Sequence, residues 1–589
     1  MGNKRRAPNK SIRKRRRKKR KSGSFVMFFI VFIIIAGCSG YVAWHLFLPS
    51  NEYQDFHTYY NLPAEEILVV MQDKWLDKSD KPIEYNGTLC FPAVFVKENI
   101  DEYIYWDEKS QKLTVTMPDK VLRFMPEQEN YYENGNPAAA NAPMVLIDNI
   151  PYLPTELLTQ IYHISLDYSI GDKIVTLNFL EDSRRQASVI SDDAVLRFKP
   201  DKKEPLSYRF SLNETVDVFS VEGDYTRVRA KNGLLGYVLT SQIALTGLVE
   251  GIPMDPPIPW PTPKPIDGKV NLLWDQISGP DNNVYRQLHD GLDVLSPTWF
   301  KFNLDLSGDI VSLADMDYVN WAHEQGYQVW ALISDFSSDT EVVLNKDISG
   351  NILPDTDKRE HVIRQLMQLI EIYNLDGINI DFEYIQQETT EHYVQFFREL
   401  SPYMKSAGAV LSVDMYNPTP ENPWSIKYYN RTEVGKVVDY VCVMAYDETE
   451  KGGPIGPNAS LPFVRNGIEM TLEEVPKDKV ILGLPYYVRS WREEKTDNNI
   501  KLTSDDDSMR KVNKIFEENN ADITWDSVFG AYYATYSVEN VSYKAWLEEE
   551  RSIEEKLKLM RELDLAGVGG WSRGMESEAA WELVKRYTS

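Results

Sequence analysis

Asp376-Gly-Ile-Asn-Ile-Asp-Phe-Glu383 is the stretch on which the second half of this chain turns. Read as a strand, its side chains alternate, so Asn379, Asp381 and Glu383 share one face and Ile378, Ile380 and Phe382 the other. The apolar face suits packing on helices. Three polar groups in a row on an inner face are costly unless they are used. No neighbouring run offers a matching set of Lys or Arg to make them a structural ion-pair ladder. Similar short runs flank the stretch: Val270–Trp274, Val294–Trp299, Gln328–Ile333, Val410–Met415, Tyr440–Tyr446, Val480–Pro485 and Gly567–Trp571. Helical pieces such as Lys358–Tyr373 and Ser552–Leu563 lie between most of them. Eight such units over residues 268–589 predict an α/β fold, a (β/α)8 barrel whose active site is built at the C-terminal ends of the strands. The gap before the last strand exceeds one helix, so residues 492–545 are expected to form a small α+β insertion.

The same stretch resembles the signature of glycoside hydrolase family 18, the chitinases and their relatives. That signature has four acidic positions, three of them acidic here, with Asp376 and Gly377 as its structural frame. Met444-Ala-Tyr-Asp447, Gly483-Leu-Pro-Tyr486 and Trp571 follow in the family's order. The resemblance implies substrate-assisted hydrolysis at N-acetylglucosamine. Glu383 protonates the glycosidic oxygen, the substrate's 2-acetamido carbonyl attacks the anomeric carbon, Asp381 orients the acetamido N–H, and Tyr446 holds the acetamido oxygen. Trp571 is implied as the floor under the sugar, and Asp447, Tyr486, Met444 and Trp299 as further substrate contacts. A carboxylate neighbour in a sheltered site supplies the raised pKa that a general acid needs at neutral pH.

Two departures stand out. Asn379 replaces the family's usual Asp; its amide is expected to donate to Asp381 and keep it an oriented anion. Ser334-Asp-Phe-Ser337 stands where many chitinases carry Ser-x-Gly-Gly. Asn at position 379 and the run Leu295-Ser-Pro-Thr-Trp-Phe300 resemble the branch of spore-cortex and cell-wall N-acetylglucosaminidases. The substrate expected is therefore a polysaccharide of peptidoglycan type, with chitin or chitooligosaccharide as the alternative enzyme substrate. A non-catalytic glycan-binding barrel is the alternative from another class; retention of Glu383 argues against it.

Composition sets the surroundings. The chain has 589 residues, 43% of them apolar, and a net charge of −25. Residues 4–21 carry 13 Lys or Arg and no acid, which leaves about −38 on the rest. So acidic a body would repel phosphates, so no nucleic-acid partner is expected. The basic tail, residues 1–24, adjoins the apolar run of residues 25–48, long enough at ~1.5 Å per residue to cross a bilayer. The positive-inside rule puts the tail in the cytoplasm and the remainder outside, with Tyr41 and Trp44 at the outer interface. This predicts a single-pass cell-membrane protein. Ile35-Ala-Gly-Cys38 leaves lipid anchoring at Cys38 open, and full release by a signal peptidase is the third reading. Cys38, Cys90 and Cys442 form no disulfide framework. No Cys/His group has metal-ligand spacing, so neither metal nor cofactor is expected.

Residues 50–185 alternate as β-rich structure, with hairpins expected over residues 103–117 and 164–178. They resemble the stalk domains related to the N-terminal domain of copper amine oxidases and read as a spacer. Residues 190–246, with five expected strands and a closing Gly236-Tyr-Val238, resemble a bacterial SH3-type module. That resemblance implies either a cell-wall-peptide partner or a second spacer. Seven prolines in residues 251–267 predict a semi-rigid linker.

Overall fold

A computed structural model describes residues 22–589 apart from 77–80, 255–258, 280–285, 336–347, 421–427 and 496–498. The basic tail to residue 21 and the linker's Pro256 and Pro257 lie outside the described residues. The chain divides into two compact units, residues 1–83 with 161–254 and residues 84–160 with 255–589.

The second unit is built on eight parallel strands. They are β1 (Val270–Asp275), β2 (Val294–Pro297), β3 (Gln328–Ser334), β4 (Gly377–Asp381), β5 (Val410–Tyr416), β6 (Tyr440–Met444), β7 (Val480–Pro485) and β8 (Gly567–Trp571). Their order is 2-1-8-7-6-5-4-3, and β2 pairs with β3 to close the barrel. Leu272, Trp274, Val294, Trp330, Leu332, Cys442 and Ile481 fill the inside. Ile378, Ile380 and Phe382 pack outward with Val362, Leu366 and Phe396 of the helices. The alternation read from β4 thus holds, and Asn379 is fully buried within the barrel. Gly377 opens β4 where a Cβ would come within 2.7 Å of the Val410 carbonyl oxygen. Asp376, just before it, accepts from His323 Nε2 and the Val329 N–H, both at 2.8 Å, and ties the base of β4 to β3.

The insertion is larger than expected. It is a five-stranded antiparallel sheet of Tyr487–Lys495, Ile500–Ser508, Asp522–Asp526, Ala531–Val538 and Val541–Leu547, with helix Met509–Glu518. It begins directly after β7, five residues before the expected boundary, because Tyr487 already pairs with Ser508.

The 50–185 segment is shared between the two units. Both expected hairpins form, at Tyr105–Asp107/Lys112–Thr116 and Ile164–Ser169/Ile174–Phe179. However, residues 84–160 belong to the compact unit of the barrel. The cause is a buried ion cluster. Arg123 Nη2 reaches Glu399 Oε2 at 2.9 Å, and Glu399 also accepts from Arg359 Nη2 at 3.0 Å and Gln395 Nε2 at 3.0 Å. Arg359 and Glu399 are fully buried. Around this cluster, Asp107 accepts from the Thr356 N–H at 2.9 Å, and Tyr105 hydroxyl and His392 Nδ1 are 2.8 Å apart. The linker's second half is likewise not a free spacer. Lys264 carbonyl accepts from Gln328 Nε2 at 2.9 Å, and Pro261 packs on Gly408.

In the first unit, a seven-stranded sheet runs from Arg184–Val189 to Ile243–Val249. Arg184–Val189 pairs with both Thr215–Glu222 and Ile243–Val249, so the module expected from residue 190 starts inside the preceding segment. Helix Ser22–Phe47 coincides with the apolar run. Among the described residues no helix is long and apolar enough to cross a membrane; the expected span is not found there.

Burial raises the Glu399 carboxyl, but Arg123 and Arg359 outweigh it and hold it at about 2. A depressed folded-state pKa stabilises above the unfolded value of ~4.3 and loses that contribution as pH falls toward 2. Wild type is expected to lose about 3 kcal/mol across that window through this group. Glu399→Gln removes the window and costs about 3–5 kcal/mol at neutral pH, because it strands two buried guanidinium groups. Denaturant titrations of both proteins between pH 2 and 7 check this.

Candidate active site

The carboxylates gather at the C-terminal mouth of the barrel. Asn379 anchors them from below. Its Oδ1 accepts from Trp274 Nε1 at 3.0 Å and Ser296 Oγ at 3.2 Å; its Nδ2 donates to Ser412 Oγ at 3.1 Å and Asp414 Oδ1 at 2.9 Å. All four of its bonds are thereby made. The expected donation to Asp381 is therefore corrected: the amide serves β5, and Asp414 Oδ2 also accepts from Trp274 Nε1 at 3.1 Å. Asp381, the next polar residue up β4, has its Oδ1 buried without a hydrogen-bond partner. Burial, then the charges of Glu383, Asp414 and Asp335, push its carboxyl well above the usual range.

Glu383 lies beyond the end of β4, where Asp335 fixes its backbone. The Glu383 N–H donates to Asp335 Oδ1 at 2.9 Å and the Tyr384 N–H to Oδ2 at 3.4 Å, while Ser349 Oγ donates to Oδ2 at 2.8 Å. Burial, aided by the Glu383 charge, pushes Asp335 up to about 7. The Tyr416 hydroxyl donates to Glu383 Oε2. Burial raises the Glu383 carboxyl, the Tyr416 bond draws it partly back, and the Asp447 charge raises it again. A part-buried carboxylic acid with one donor, set among other carboxylates, is equipped to give a proton near neutral pH.

Tyr446 is nearly buried beyond β6 and meets Tyr487 edge-on at 6.2 Å between ring centroids. Asp447, beside it, accepts from the Tyr487 hydroxyl and from Arg489 Nη2 at 2.8 Å. Met444 is buried below, at the end of β6. Trp571 ends β8, part-exposed, with its ring tilted against Trp274 at 6.3 Å. These residues and the β4 triad meet at one mouth.

Two expected contacts do not reach it. Trp299 is 1% exposed in the core and packs edge-on against Tyr318 at 5.1 Å. Tyr486 is also 1% exposed, its ring lying where a Cβ on Gly570 would sit. The reason for the second is parity: Ile481 lines the inside of the barrel, so Gly483, Pro485 and Tyr487 share its face and Tyr486 points away. Tyr487 and Arg489, not Tyr486, contact Asp447. Asp335, Ser412, Asp414 and Tyr416 were also missed. The signal for the last three is the alternation Ser412-x-Asp414-x-Tyr416 on β5, the same pattern that marks β4.

Tyr416→Phe removes the one side-chain donor that lowers the Glu383 pKa. A reaction that needs protonated Glu383 is lost as pH rises through that pKa, so the alkaline limb of kcat/KM is expected to move upward, by about one unit for a bond of ~1.5 kcal/mol. The pH–rate profiles of the two proteins measure it.

The comparisons with known proteins fall on this part of the chain. Residues 309–576 match the profile of the glycosyl hydrolases family 18, and residues 70–177 match the copper amine oxidase N-terminal domain. The uncharacterized glycosylase YvbX of Bacillus subtilis (strain 168) is 25% identical over 311 residues, 52% of this chain and 88% of that protein. A cortical fragment-lytic enzyme of the same organism is 26% identical over 296 residues, 48% of this chain and 66% of its own. Among solved structures, the C-terminal domain of a proposed chitinase from Desulfitobacterium hafniense DCB-2 superimposes with a TM-score of 0.50 at 20% identity. It covers 55% of this chain and 100% of that one, a likeness of fold. Residues 309–576 thus resemble the glycosyl hydrolases family 18, and the similar glycosylase and cortical fragment-lytic enzyme support a glycosidase.

Proposed function

We propose that this protein hydrolyses β-1,4 bonds that follow N-acetylglucosamine in peptidoglycan, with retention, through the substrate's own acetamide. The observation that carries the reading is Glu383 held by Asp335 and Tyr416 directly above Asp381. Glu383 protonates the glycosidic oxygen as the bond to the anomeric carbon breaks. The acetamido oxygen closes on that carbon to give an oxazolinium ion, and positioning this internal nucleophile supplies much of the acceleration. Asp381, ionised, accepts the acetamido N–H and balances the developing positive charge. Tyr446 orients the acetamido oxygen. Glu383, now a carboxylate, takes a proton from water as it opens the ring. Trp571 supplies the apolar floor, and Asp447, held by Tyr487 and Arg489, receives sugar hydroxyls. No metal or cofactor takes part in this scheme.

Peptidoglycan is favoured over chitin by the tether read in the sequence, a basic tail followed by residues 25–48, and by the cortical fragment-lytic relative. In this reading the chain is held at the cell membrane through that apolar run or through lipid on Cys38, with the catalytic domain outside. The SH3-like sheet then binds wall peptide.

Mass spectrometry of digests of purified peptidoglycan and of chitin tests the reaction. Muropeptides ending in N-acetylglucosamine are expected from wild type. Glu383→Gln is expected to lose about 10²–10⁴-fold in kcat; undiminished release by that variant would remove Glu383 as the acid. Products from chitin alone would shift the substrate to chitooligosaccharide. Removal of residues 1–48 is expected to move the protein from the membrane pellet to the supernatant; sedimentation unchanged by that deletion excludes the anchor.

A further inference from the structure

The mechanism above asks Asp381 to be an anion when the acetamide arrives, yet nothing in the site donates to its buried Oδ1. The neighbouring strand holds the complement. β4 and β5 run parallel with Asn379 opposite Ser412 and Ile380 opposite Val413. Asp381 and Asp414 come next on the same inward face, on strands ~4.8 Å apart. Asp414 is 2% exposed. Unlike Asp381 it is well supplied: Asn379 Nδ2 donates to Oδ1 at 2.9 Å, Trp274 Nε1 to Oδ2 at 3.1 Å, and the Cys442 thiol is a further partner. Two buried carboxylates this close do not both ionise. The one with N–H donors is the better anion, and the one without is the better acid.

We propose that Asp414 is the positioning residue and proton partner of Asp381: one proton is shared by the two, residing on Asp381 in the empty site and passing to Asp414 when the acetamido N–H enters. In that step the Asp381 O–H bond breaks and an Asp414 O–H bond forms, with no other reactant. Asp381 then accepts from the acetamide while the site's total charge is unchanged. Asn379 is part of the device. An amide at that position cannot take the proton, so it stays between Asp381 and Asp414, and the amide fixes which Asp414 oxygen faces β4. The other groups facing the pair are Asp335 from β3, Glu383 beyond β4, Tyr416 from β5, Cys442 and Tyr446 from β6 and beyond it, and Tyr393 from helix Thr390–Ala407. Among the described residues none of these is a cation, so no ion pair with them competes for the proton.

This rests on the glycosidase reading, and full-length protein in detergent with a chromogenic chitotrioside and with peptidoglycan tests both. Asp414→Asn keeps the shape but cannot take the proton. It is expected to lower kcat at least 100-fold with KM changed less than threefold, and to abolish the acidic pKa of the kcat profile. Asn379→Asp/Asp414→Asn moves the carboxylate one strand across and is expected to recover at least tenfold over Asp414→Asn. If Asp414→Asn does not fold, Asn379→Asp alone decides: a third carboxylate must shift the acidic limb upward by at least half a unit. Unchanged profiles in folded Asp414→Asn or in Asn379→Asp overturn the proposal, as does a swap no better than the single variant. Wild type inert on both glycans would instead overturn the glycosidase reading, and this proposal with it.

Discussion

A buried polar side chain in a barrel is tolerated only when every one of its hydrogen-bonding atoms is matched, and Asn379 meets that condition across four strands. Trp274 comes from β1, Ser296 from β2, and Ser412 and Asp414 from β5. The amide thus fixes where β4 stands relative to its neighbours, and the two carboxylates above it inherit that placement. Leaving any of these four bonds unmade would cost on the order of 1–3 kcal/mol. Asp381 is therefore set by the same interactions that close the barrel, while Glu383, beyond the strand end, is fixed by Asp335.

Above this floor the described side chains become progressively more acidic. Asp335, Asp381, Glu383 and Asp414 occupy the mouths of β3, β4 and β5, and the cation nearby, Arg489, is paired with Asp447 and Asp506. Mutual repulsion and burial together keep protons on carboxyl groups that would be bare in water. Asp335 adds a backbone role, holding two successive N–H groups so that Glu383 projects from a fixed turn.

Much of this was legible in residue order because strand periodicity is local. The alternation in residues 376–383 placed the triad, and the intervals between apolar runs gave the eight strands. What escaped depends on pairing between distant segments. Whether Asn379 donates upward to Asp381 or sideways to Asp414 is a matter of strand register, which no single strand encodes. That Tyr486 points away from the mouth depends on the phase of β7 against the barrel interior, which is invisible in a run as evenly apolar as Val480-Ile-Leu-Gly-Leu-Pro485. Trp299 is implied as a contact by the resemblance alone, and its packing on Tyr318 in the core shows otherwise. Residues 84–160 read as a spacer since the partner of Arg123 lies 276 residues downstream.

The insertion after β7 supplies Tyr487 and Arg489, whereas the proton-handling groups stand on β3 to β5. Its antiparallel sheet closes its own hydrogen bonds, separate from those of the barrel. The side chains that hold Asp447 and the carboxylates of β3 to β5 therefore rest on two separate ladders. In the proposed reading, lengthening or exchanging hairpins of the insertion changes how Asp447 is held and leaves the register of the carboxylates intact.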